Sequence, residues 1–363
     1  MKRCGSPELF REILLNGGKG IKKTDIGEQE IAGILDFAED NEIDPLIIEG
    51  IERRPGIIRI LSPETLNRIR VMKRNAVFKS LLFRRELQKI ASAIPRNLAG
   101  KPMLLKGAAL AGTVYPAGYP RRMNDIDILA GADFFADLKE VLLKNGYAGR
   151  PIGAKRPYTE KIFYEERFIK SAGCPDEVIL ELHKSLCEPT RFDIPVGELF
   201  ERSVRHPEFD GIFSILSPED MYIHLCVHLA QKLFDENLKH LYDIFVFIER
   251  GLADFKTVLG RAGIYGVETI TRISSRLAVN AFRPGNSARY PFSGAPGDIA
   301  GILKERYIES FFDPENLKLY RFEHHLRLRQ ALLMPAIFDD LTDFAGFALH
   351  YGKTRIIDLI SLH

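Results

Sequence analysis

The sequence contains no tryptophan, and neither sign of charge is in clear excess. Its aromatic side chains are 24 Phe and 12 Tyr, so phenyl rings and aliphatic side chains must build the core. Lysine and arginine exceed aspartate and glutamate by 51 − 49 = 2. Because the net charge is near zero, no field from the whole molecule steers it to nucleic acid or to an anionic membrane, which leaves only local basic patches.

Cysteine is also scarce, and its four positions are scattered: Cys4, Cys174, Cys187 and Cys226. No two of them form a C-x-x-C pair, and their spacing matches no common zinc-binding pattern. Scattered thiols in a chain of this length are typical of a reduced, intracellular protein.

Long apolar runs are missing as well. No stretch of about 18 apolar residues occurs, which argues against a membrane-spanning helix and a membrane partner. The basic start, Met1–Glu8, is not followed by the apolar stretch of about 7–15 residues that a secretory signal requires. No signal peptide is expected, and these absences together predict a cytoplasmic protein.

The sequence does contain an ordinary globular composition, arranged in three regions. Hydrophobic residues make up 45% and charged residues 28% of the 363 positions, which suits two or three folded units with a sizeable core. The patterns predict an N-terminal helical region at 1–95, a core of strands and helices at 96–190, and a C-terminal helical region at 191–363.

Apolar residues of the N-terminal region recur with the helical period. Phe37 lies outside one such stripe, which consists of Ile31, Ile34, Leu35 and Ala38. Ser62 and Pro63 predict the start of another helix, with serine as the N-cap and proline at the first helical position. Residues 68–85 of this helix carry many basic side chains, which indicate either a solvated helix face or a nucleic-acid-binding stripe.

Helices are also predicted in the C-terminal region. Ser217–Asp220 has an N-cap serine, a following proline and an acid at the third position, and it opens a buried helix over Met221–Phe234. A second helical pattern covers Leu238–Arg250. Residues 282–297 are rich in proline, glycine and serine and predict a loop, and helix is expected again from Leu317 onward.

Between residues 96 and 190, strand patterns alternate with helical ones. The strand patterns are Met103–Leu105, Asp125–Leu129, Lys161–Tyr164 and Val178–His183. Helices are predicted at Ala108–Val114 and Asp133–Lys144, the second with Phe134 on its apolar side. This alternation predicts a sheet covered by helices, an α+β architecture.

The most informative segment is Asp125–Leu129. Side chains at i and i+2 of a strand point to the same face, so Asp125 and Asp127 project together. Two carboxylates about 6–7 Å apart repel each other and are poor core residues. They suit a divalent cation such as Mg²⁺, which prefers hard oxygen ligands. The alternative is an edge strand with solvated acids.

A third acid fits the same chemistry. In the strand pattern Val178–His183, Glu181 shares a face with His183, and a neighbouring strand position brings Glu181 beside the aspartate pair. Three carboxylates around two metal ions suit phosphoryl transfer, in which one ion activates the attacking oxygen and the other steadies the leaving phosphate.

The residues that precede the aspartates favour this interpretation over solvated acids. Met103–Leu110 has the pattern strand, tight turn, helix, in which Gly107 allows close approach to a phosphate and Lys106 adds a point charge. Between this turn and the acids lie three natural partners for a triphosphate: Arg121, Arg122 and Asn124. Taken singly, Lys106, Arg121 and Arg122 are each equally consistent with an ordinary surface charge, but the group of three is less so.

In their order along the chain, these segments resemble the nucleotidyltransferase superfamily that includes DNA polymerase beta. They resemble more closely its bacterial branch of uncharacterised nucleotidyltransferases. The resemblance extends over about residues 30–250 and rests on Leu104–Leu110, Tyr115–Pro116, Arg121–Leu129, Glu181–His183, Leu216–Asp220, the helix with His224 and His228, and Leu241–Asp243.

The resemblance implies a small mixed β-sheet with flanking helices in the core. It implies transfer of a nucleoside monophosphate from an NTP, expected to be ATP, to an acceptor hydroxyl or phosphate, with release of pyrophosphate. Asp125 and Asp127 would bind two Mg²⁺ ions, or Mn²⁺ in their place, and Glu181 would complete the metal site. Lys106 and Gly107 would meet the phosphates. The acceptor stays open: a small molecule, a protein or an RNA.

Two histidines in the predicted Met221–Phe234 helix have a spacing that can hold a metal. His224 and His228 are four residues apart, but the helix is so apolar that hydrogen-bonded core histidines are favoured. Another interpretation places His228 and Asp243 in a polar cluster at the cleft, with His183 as a partner of Asp243 or as a support of the site.

Two other classes of function compete with the transferase. One is a nucleotidyltransferase fold that has lost turnover and binds a nucleotide, a protein or a nucleic acid. The retained acid Glu181 argues against it. The other is a nucleic-acid-binding protein that uses the basic helix at 68–85, which predicts strongly salt-dependent binding that is insensitive to Mg²⁺.

Overall fold

Helices surround a mixed sheet in the part of the chain that the computed structural model describes, which comprises residues 6–15, 26–115, 121–150, 164–171, 177–189, 191–232, 234, 237–285, 290–292, 334–340 and 342–349. The predicted α+β class is confirmed. In these residues, no helix combines the length and the apolar character that crossing a bilayer would need.

Five helices precede the sheet: α1 (Pro7–Leu15), α2 (Glu28–Asp40), α3 (Asp44–Glu52), α4 (Pro55–Ile60) and α5 (Pro63–Ala93). The predicted start of α5 is confirmed, because Ser62 Oγ accepts a hydrogen bond from the Thr65 N–H at 3.2 Å. The predicted apolar stripe of α2 leaves out one residue that is buried in the structure. Phe37 is also buried, since its ring packs edge-on against Phe10 of α1 at 5.4 Å.

The seven strands of the sheet are β1 (Met103–Leu104), β2 (Ile126–Leu129), β3 (Ala148–Arg150), β4 (Glu165–Ser171), β5 (Glu177–His183), β6 (Val204–Arg205) and β7 (Ser214–Ile215). Their order is β3-β4-β5-β2-β1-β7-β6. The pairs β2–β5 and β1–β7 are parallel, and the other neighbours are antiparallel. The sheet is therefore mixed, with β2 and β5 at its centre.

The strand predictions are confirmed for β1, β2 and β5 to within one residue at each end. The predicted strand Lys161–Tyr164 lies outside the described residues except for Tyr164, and the following strand β4 was not predicted. Four of the seven β4 residues are charged, so its sequence lacks the apolar alternation that marks a half-buried strand.

The predicted helix Ala108–Val114 is placed wrongly. α6 spans Lys106–Leu110 and ends early, because Gly112 has a φ of +82° and turns the chain back. Helix α7 (Gly131–Lys144) contains the predicted Asp133–Lys144, but Phe135 is buried in place of Phe134.

The helices that follow β5 are α8 (Val196–Glu201), α9 (Pro218–Gln231), α10 (Leu238–Arg250), α11 (Phe255–Ile264) and α12 (Glu268–Phe282). The bounds of α10 are as predicted. The N-cap of α9 is confirmed, because Ser217 Oγ accepts from the Asp220 N–H at 3.2 Å. This helix ends three residues before the predicted Phe234, whose φ of +62° is incompatible with helix. Most of 282–297 and of the chain from Leu317 onward lies outside the described residues.

Candidate active site

Two parallel strands bring predicted carboxylates together. The register of β2 and β5 sets Asp127 opposite Glu181. The two residues are 1% and 6% exposed, so two negative charges lie next to each other in the interior. Because a buried charge is costly unless it is paired, this arrangement requires positive partners or hydrogen-bond donors.

Three side chains donate to these acids. Lys106 Nζ donates to Asp127 Oδ1 at 2.7 Å. His183 Nε2 lies 3.0 Å from the same oxygen, which favours a proton on this nitrogen. Arg167 Nε donates to Glu181 Oε1 at 3.0 Å.

His183 lies between two carboxylates. Its Nδ1 is 3.4 Å from Glu165 Oε2, because β4 and β5 place Glu165 and His183 opposite each other. Ligand atoms of Asp127, Glu181 and His183 all lie within 4.8 Å of one another, so this buried set could hold a metal ion.

Asp125 lies one residue before β2 and outside this close set. Burial and the charge of Asp127 raise the pKa of Asp125 to about 6. Burial acts in the same direction on Asp127, but Lys106 and His183 outweigh it and hold the pKa of Asp127 below its ordinary value. The two aspartates thus have opposite shifts, which is the behaviour of interacting carboxylates.

The charges and donor atoms fit a divalent cation. Four carboxylates face two permanent cations, Lys106 and Arg167, and the carboxylates belong to Asp125, Asp127, Glu165 and Glu181. Carboxylate oxygens are the ligands that both Mg²⁺ and Mn²⁺ prefer. The surplus of negative charge is the feature that a bound cation would neutralise.

Lys106 reaches Asp127 from a strained backbone. Its φ is +43°, a conformation that costs a residue with a side chain about 1 kcal/mol or more. The adjacent Leu105 N–H donates to the Asp127 carbonyl at 3.0 Å, which fixes the turn against β2. The fold therefore holds the ammonium group of Lys106 at the carboxylates in spite of this cost.

The next residue, Gly107, has almost no room for a side chain. A Cβ at this position would lie 2.6 Å from Arg121 Nη1 and 2.8 Å from Met123 Cγ. A side chain at this position would have to displace the side chains of Arg121 and Met123, which pack against Gly107.

Arg121 belongs to a fully buried network. Its Nε donates to Asp243 Oδ1 at 2.9 Å, and its Nη2 donates to Asp243 Oδ2. The Tyr115 hydroxyl donates to Asp243 Oδ1 at 2.6 Å. One carboxylate of α10 therefore holds both Tyr115, which follows the Lys106–Gly107 turn, and Arg121, which precedes Asp125 and Asp127.

Arg122 and Asn124 connect the core to the N-terminal helices. Arg122 Nη1 donates to Asp44 Oδ1 at 3.0 Å, and Asn124 Nδ2 donates to Glu42 Oε1 at 2.7 Å. Lys239 also donates to Glu42, and this pairing outweighs burial and lowers the pKa of Glu42 to about 2. Contact of Arg121, Arg122 or Asn124 with a triphosphate stays a prediction.

The helix histidines do not join Asp243. The structure pairs Asp243 with Arg121 and Tyr115 instead of with His183 or His228, because the guanidinium fork matches both carboxylate oxygens. The ring of His228 lies 5.1 Å from that of His240. His224 is 1% exposed, and neither of its nitrogens has a hydrogen-bond partner in the described residues.

Comparison with protein families gives one match. The model of a family described as "Uncharacterised nucleotidyltransferase" matches residues 27–283, which is more than two thirds of the chain. The chain belongs to this family of uncharacterised nucleotidyltransferases. A search of curated proteins found no match. The family match crosses the predicted boundaries at 95 and 190, so it includes helices that precede and follow the strands as well as the sheet itself.

The sequence analysis missed two side chains of this candidate site. Glu165 and Arg167 belong to β4, and their register opposite His183 and Glu181 follows from antiparallel pairing. Because β4 was not predicted, nothing marked them as neighbours of the acids. The hairpin-like order of β4 and β5 is the signal that could have found them, since residues of paired strands face each other.

Proposed function

We propose that this chain is a metal-dependent nucleotidyltransferase that moves a nucleoside monophosphate from an NTP to an acceptor hydroxyl or phosphate. The proposal rests on one arrangement. The parallel pairing of β2 with β5 sets Asp127 opposite Glu181, and Lys106, from the turn after β1, donates to Asp127. An acceptor hydroxyl loses its proton to water, and its oxygen forms a bond to the α-phosphorus. The bond from that phosphorus to the oxygen that bridges it to the β-phosphorus breaks, and pyrophosphate leaves with the electron pair.

Asp125, Asp127 and Glu181 would hold Mg²⁺, with two ions in the full site and Mn²⁺ as a substitute. The ions would supply charge stabilisation at the attacking and leaving oxygens. His183 orients Asp127 through its hydrogen bond, and Arg167 orients Glu181 in the same way. These contacts keep the carboxylates in place when the cation and the phosphates arrive.

Lys106 and Gly107 would receive the phosphates of the NTP, which we propose to be ATP. The Lys106 ammonium is 2.7 Å from Asp127 Oδ1, so it stands beside the position where charge develops as pyrophosphate leaves. The Tyr115–Asp243–Arg121 network supports this turn, because Arg121 Nη1 packs directly against Gly107.

A pair of isotope labels tests the reaction class. The protein is incubated with Mg²⁺ and each NTP, labelled on the α-phosphate or on the γ-phosphate, first alone and then with cell extract as a source of acceptor. We expect transfer of the α-label, with one pyrophosphate released for each label transferred. Transfer of the γ-label would instead identify phosphoryl transfer and contradict the proposal.

The double variant Asp125→Ala/Asp127→Ala tests the site. We expect it to fold and to lose Mg·ATP binding, measured by calorimetry with and without Mg²⁺. The matched control is Asp133→Ala/Asp137→Ala, which removes two exposed acids of α7 and should leave affinity unchanged. Unchanged Mg·ATP affinity in a folded Asp125→Ala/Asp127→Ala protein would contradict the metal site. Mg·ATP binding by the wild type without any transfer would favour the binding-protein alternative.

A further inference from the structure

One face of the long helix α5 carries arginines and apolar side chains together. Each residue of an α-helix is turned by about 100° around the helix axis relative to the one before it. Residues that are three, four, seven or eight positions apart therefore lie on the same side of the helix. Six residues share the outward side of α5 over about 22 Å. We call them the α5 stripe: Arg70, Arg74, Val77, Phe78, Leu81 and Arg85.

The apolar members of the α5 stripe are strongly exposed. Phe78 is 55% exposed, Leu81 is 58% exposed and Val77 is 37% exposed. Four of the nine exposed large hydrophobic residues in the described part of the chain lie at 71–81, and the others are scattered. Single exposed apolar residues are ordinary, but a cluster on one helix face marks an interaction surface.

The charged members of the α5 stripe are all positive and unpaired. No acid occurs between Glu64 and Glu86. Arg68, Lys73 and Arg84, which lie on the flanks, form ion pairs with acids of other elements. In contrast, Arg70, Arg74 and Arg85 form no ion pair or hydrogen bond within the described residues.

These observations favour one kind of binding partner for the α5 stripe over two others. Pairing with the α5 stripe of a second copy brings arginine to arginine or to apolar residues in either helix orientation, because the stripe contains no acid. Nucleic acid would use the three arginines, but Val77 and Leu81 would gain nothing from phosphates. A protein helix with an apolar seam and flanking acids satisfies both kinds of side chain, since aromatic and arginine anchors dominate such interfaces.

We propose that the α5 stripe is the docking site for an acidic amphipathic helix of a partner protein. The apolar seam of that helix packs on Val77, Phe78 and Leu81, while its carboxylates pair with Arg70, Arg74 and Arg85. The opposite side of α5 is already occupied: α5 contacts α3 and α7, and its residues Ile69, Met72 and Phe83 are buried. The partner helix therefore packs on the solvent-facing side of α5.

The test measures peptide binding by the full chain with fluorescence anisotropy. The probe is a labelled helical peptide with leucine at its a and d positions, glutamate at e and g, and alanine at b, c and f. The same peptide with lysine in place of glutamate is the control. We expect binding of the acidic peptide that weakens as salt increases, and no binding of the basic one. Polyuridylate RNA and phosphatidylglycerol vesicles are titrated in parallel.

Two variants locate the binding. Phe78→Ala/Leu81→Ala and Arg70→Glu/Arg74→Glu should each lower the affinity for the acidic peptide by about tenfold or more. Leu143→Ala/Ile264→Ala removes exposed apolar residues elsewhere and should have no effect. The proposal is overturned if the acidic peptide does not bind, if either stripe variant binds it normally, or if RNA or vesicles bind more tightly. Mg·ATP binding should be the same in all variants, so this result is independent of the proposed transferase activity.

Discussion

Two buried carboxylates of this protein differ in how completely they are neutralised. Asp243 is fully buried, and one arginine and one tyrosine satisfy it with three hydrogen bonds. Asp127 is 1% exposed and shares its Lys106 partner with a neighbouring group of acids, to which Asp125 and Glu181 belong. The first carboxylate is balanced by the chain itself, whereas the second belongs to a group with surplus negative charge.

This difference indicates a structural role for Asp243 and a ligand-binding role for the acids around Asp127. A satisfied buried ion pair holds segments in place and offers nothing to a ligand. A group of acids that the chain leaves under-neutralised is destabilising for the empty protein, and it is retained where a ligand supplies the missing charge. The Lys106–Gly107 turn connects the two groups, because Lys106 donates to Asp127 while Gly107 packs against Arg121, which Asp243 holds. The balanced site at Asp243 therefore positions the unbalanced site around Asp127.

The largest stability effect should come from the balanced site. Asp243→Asn removes the charge that Arg121 needs and leaves a guanidinium buried without a counter-ion, so the free energy of unfolding should fall by about 3 kcal/mol. Urea unfolding at constant pH measures it. Arg121→Met/Asp243→Leu removes both charges and should cost less than Asp243→Asn alone. A double variant that costs as much as the single one would show that packing, and not charge, decides this site.

Substitution of Gly107 should disturb both the balanced and the unbalanced site. Gly107→Ala places a methyl group against Arg121 and Met123, and because Asp243 holds Arg121 the guanidinium cannot move away. We expect a loss of about 1–3 kcal/mol in stability and a weaker affinity for Mg·ATP, measured by urea unfolding and calorimetry. Gly33→Ala in α2, where a Cβ has no neighbour within 4 Å, is the control and should be neutral or slightly stabilising.

The unbalanced site was partly predictable because its signals are local. Alternation along five or six residues is enough to place Asp127 and Glu181 on strand faces, and the parallel pairing of β2 with β5 then brings them together. Glu165 could not be predicted in the same way, because the charged sequence of β4 hides its strand character. Asp125 lies one residue before β2 and outside the close set of Asp127, Glu181 and His183, so its part in a metal site stays a prediction.

The balanced site was unpredictable for the opposite reason. Asp243 was identified as a buried carboxylate that needs a partner, but its partner Arg121 lies 122 residues away in sequence. No local pattern encodes such a contact, because it depends on how α10 packs against the turn. The α5 stripe shows the same limit: its basic residues are visible in the sequence, but the exposure of Phe78 and Leu81 beside them is decided by tertiary packing.

The smallest effect, and the one that sharpens the contrast most, concerns Asp125. Its pKa is raised from 3.8 to about 6 in the folded protein, so its ionised form destabilises the fold above about pH 6, and this penalty disappears as the pH falls towards 3.8. Without metal, Asp125→Asn should therefore raise the melting temperature by about 2 °C at pH 7.5 and by less at pH 5. Saturating Mg²⁺ should reverse the order at pH 7.5, because only the wild type gains binding energy. A melting temperature that Asp125→Asn lowers equally at both pH values, with or without Mg²⁺, would place Asp125 with Asp243 among the balanced carboxylates.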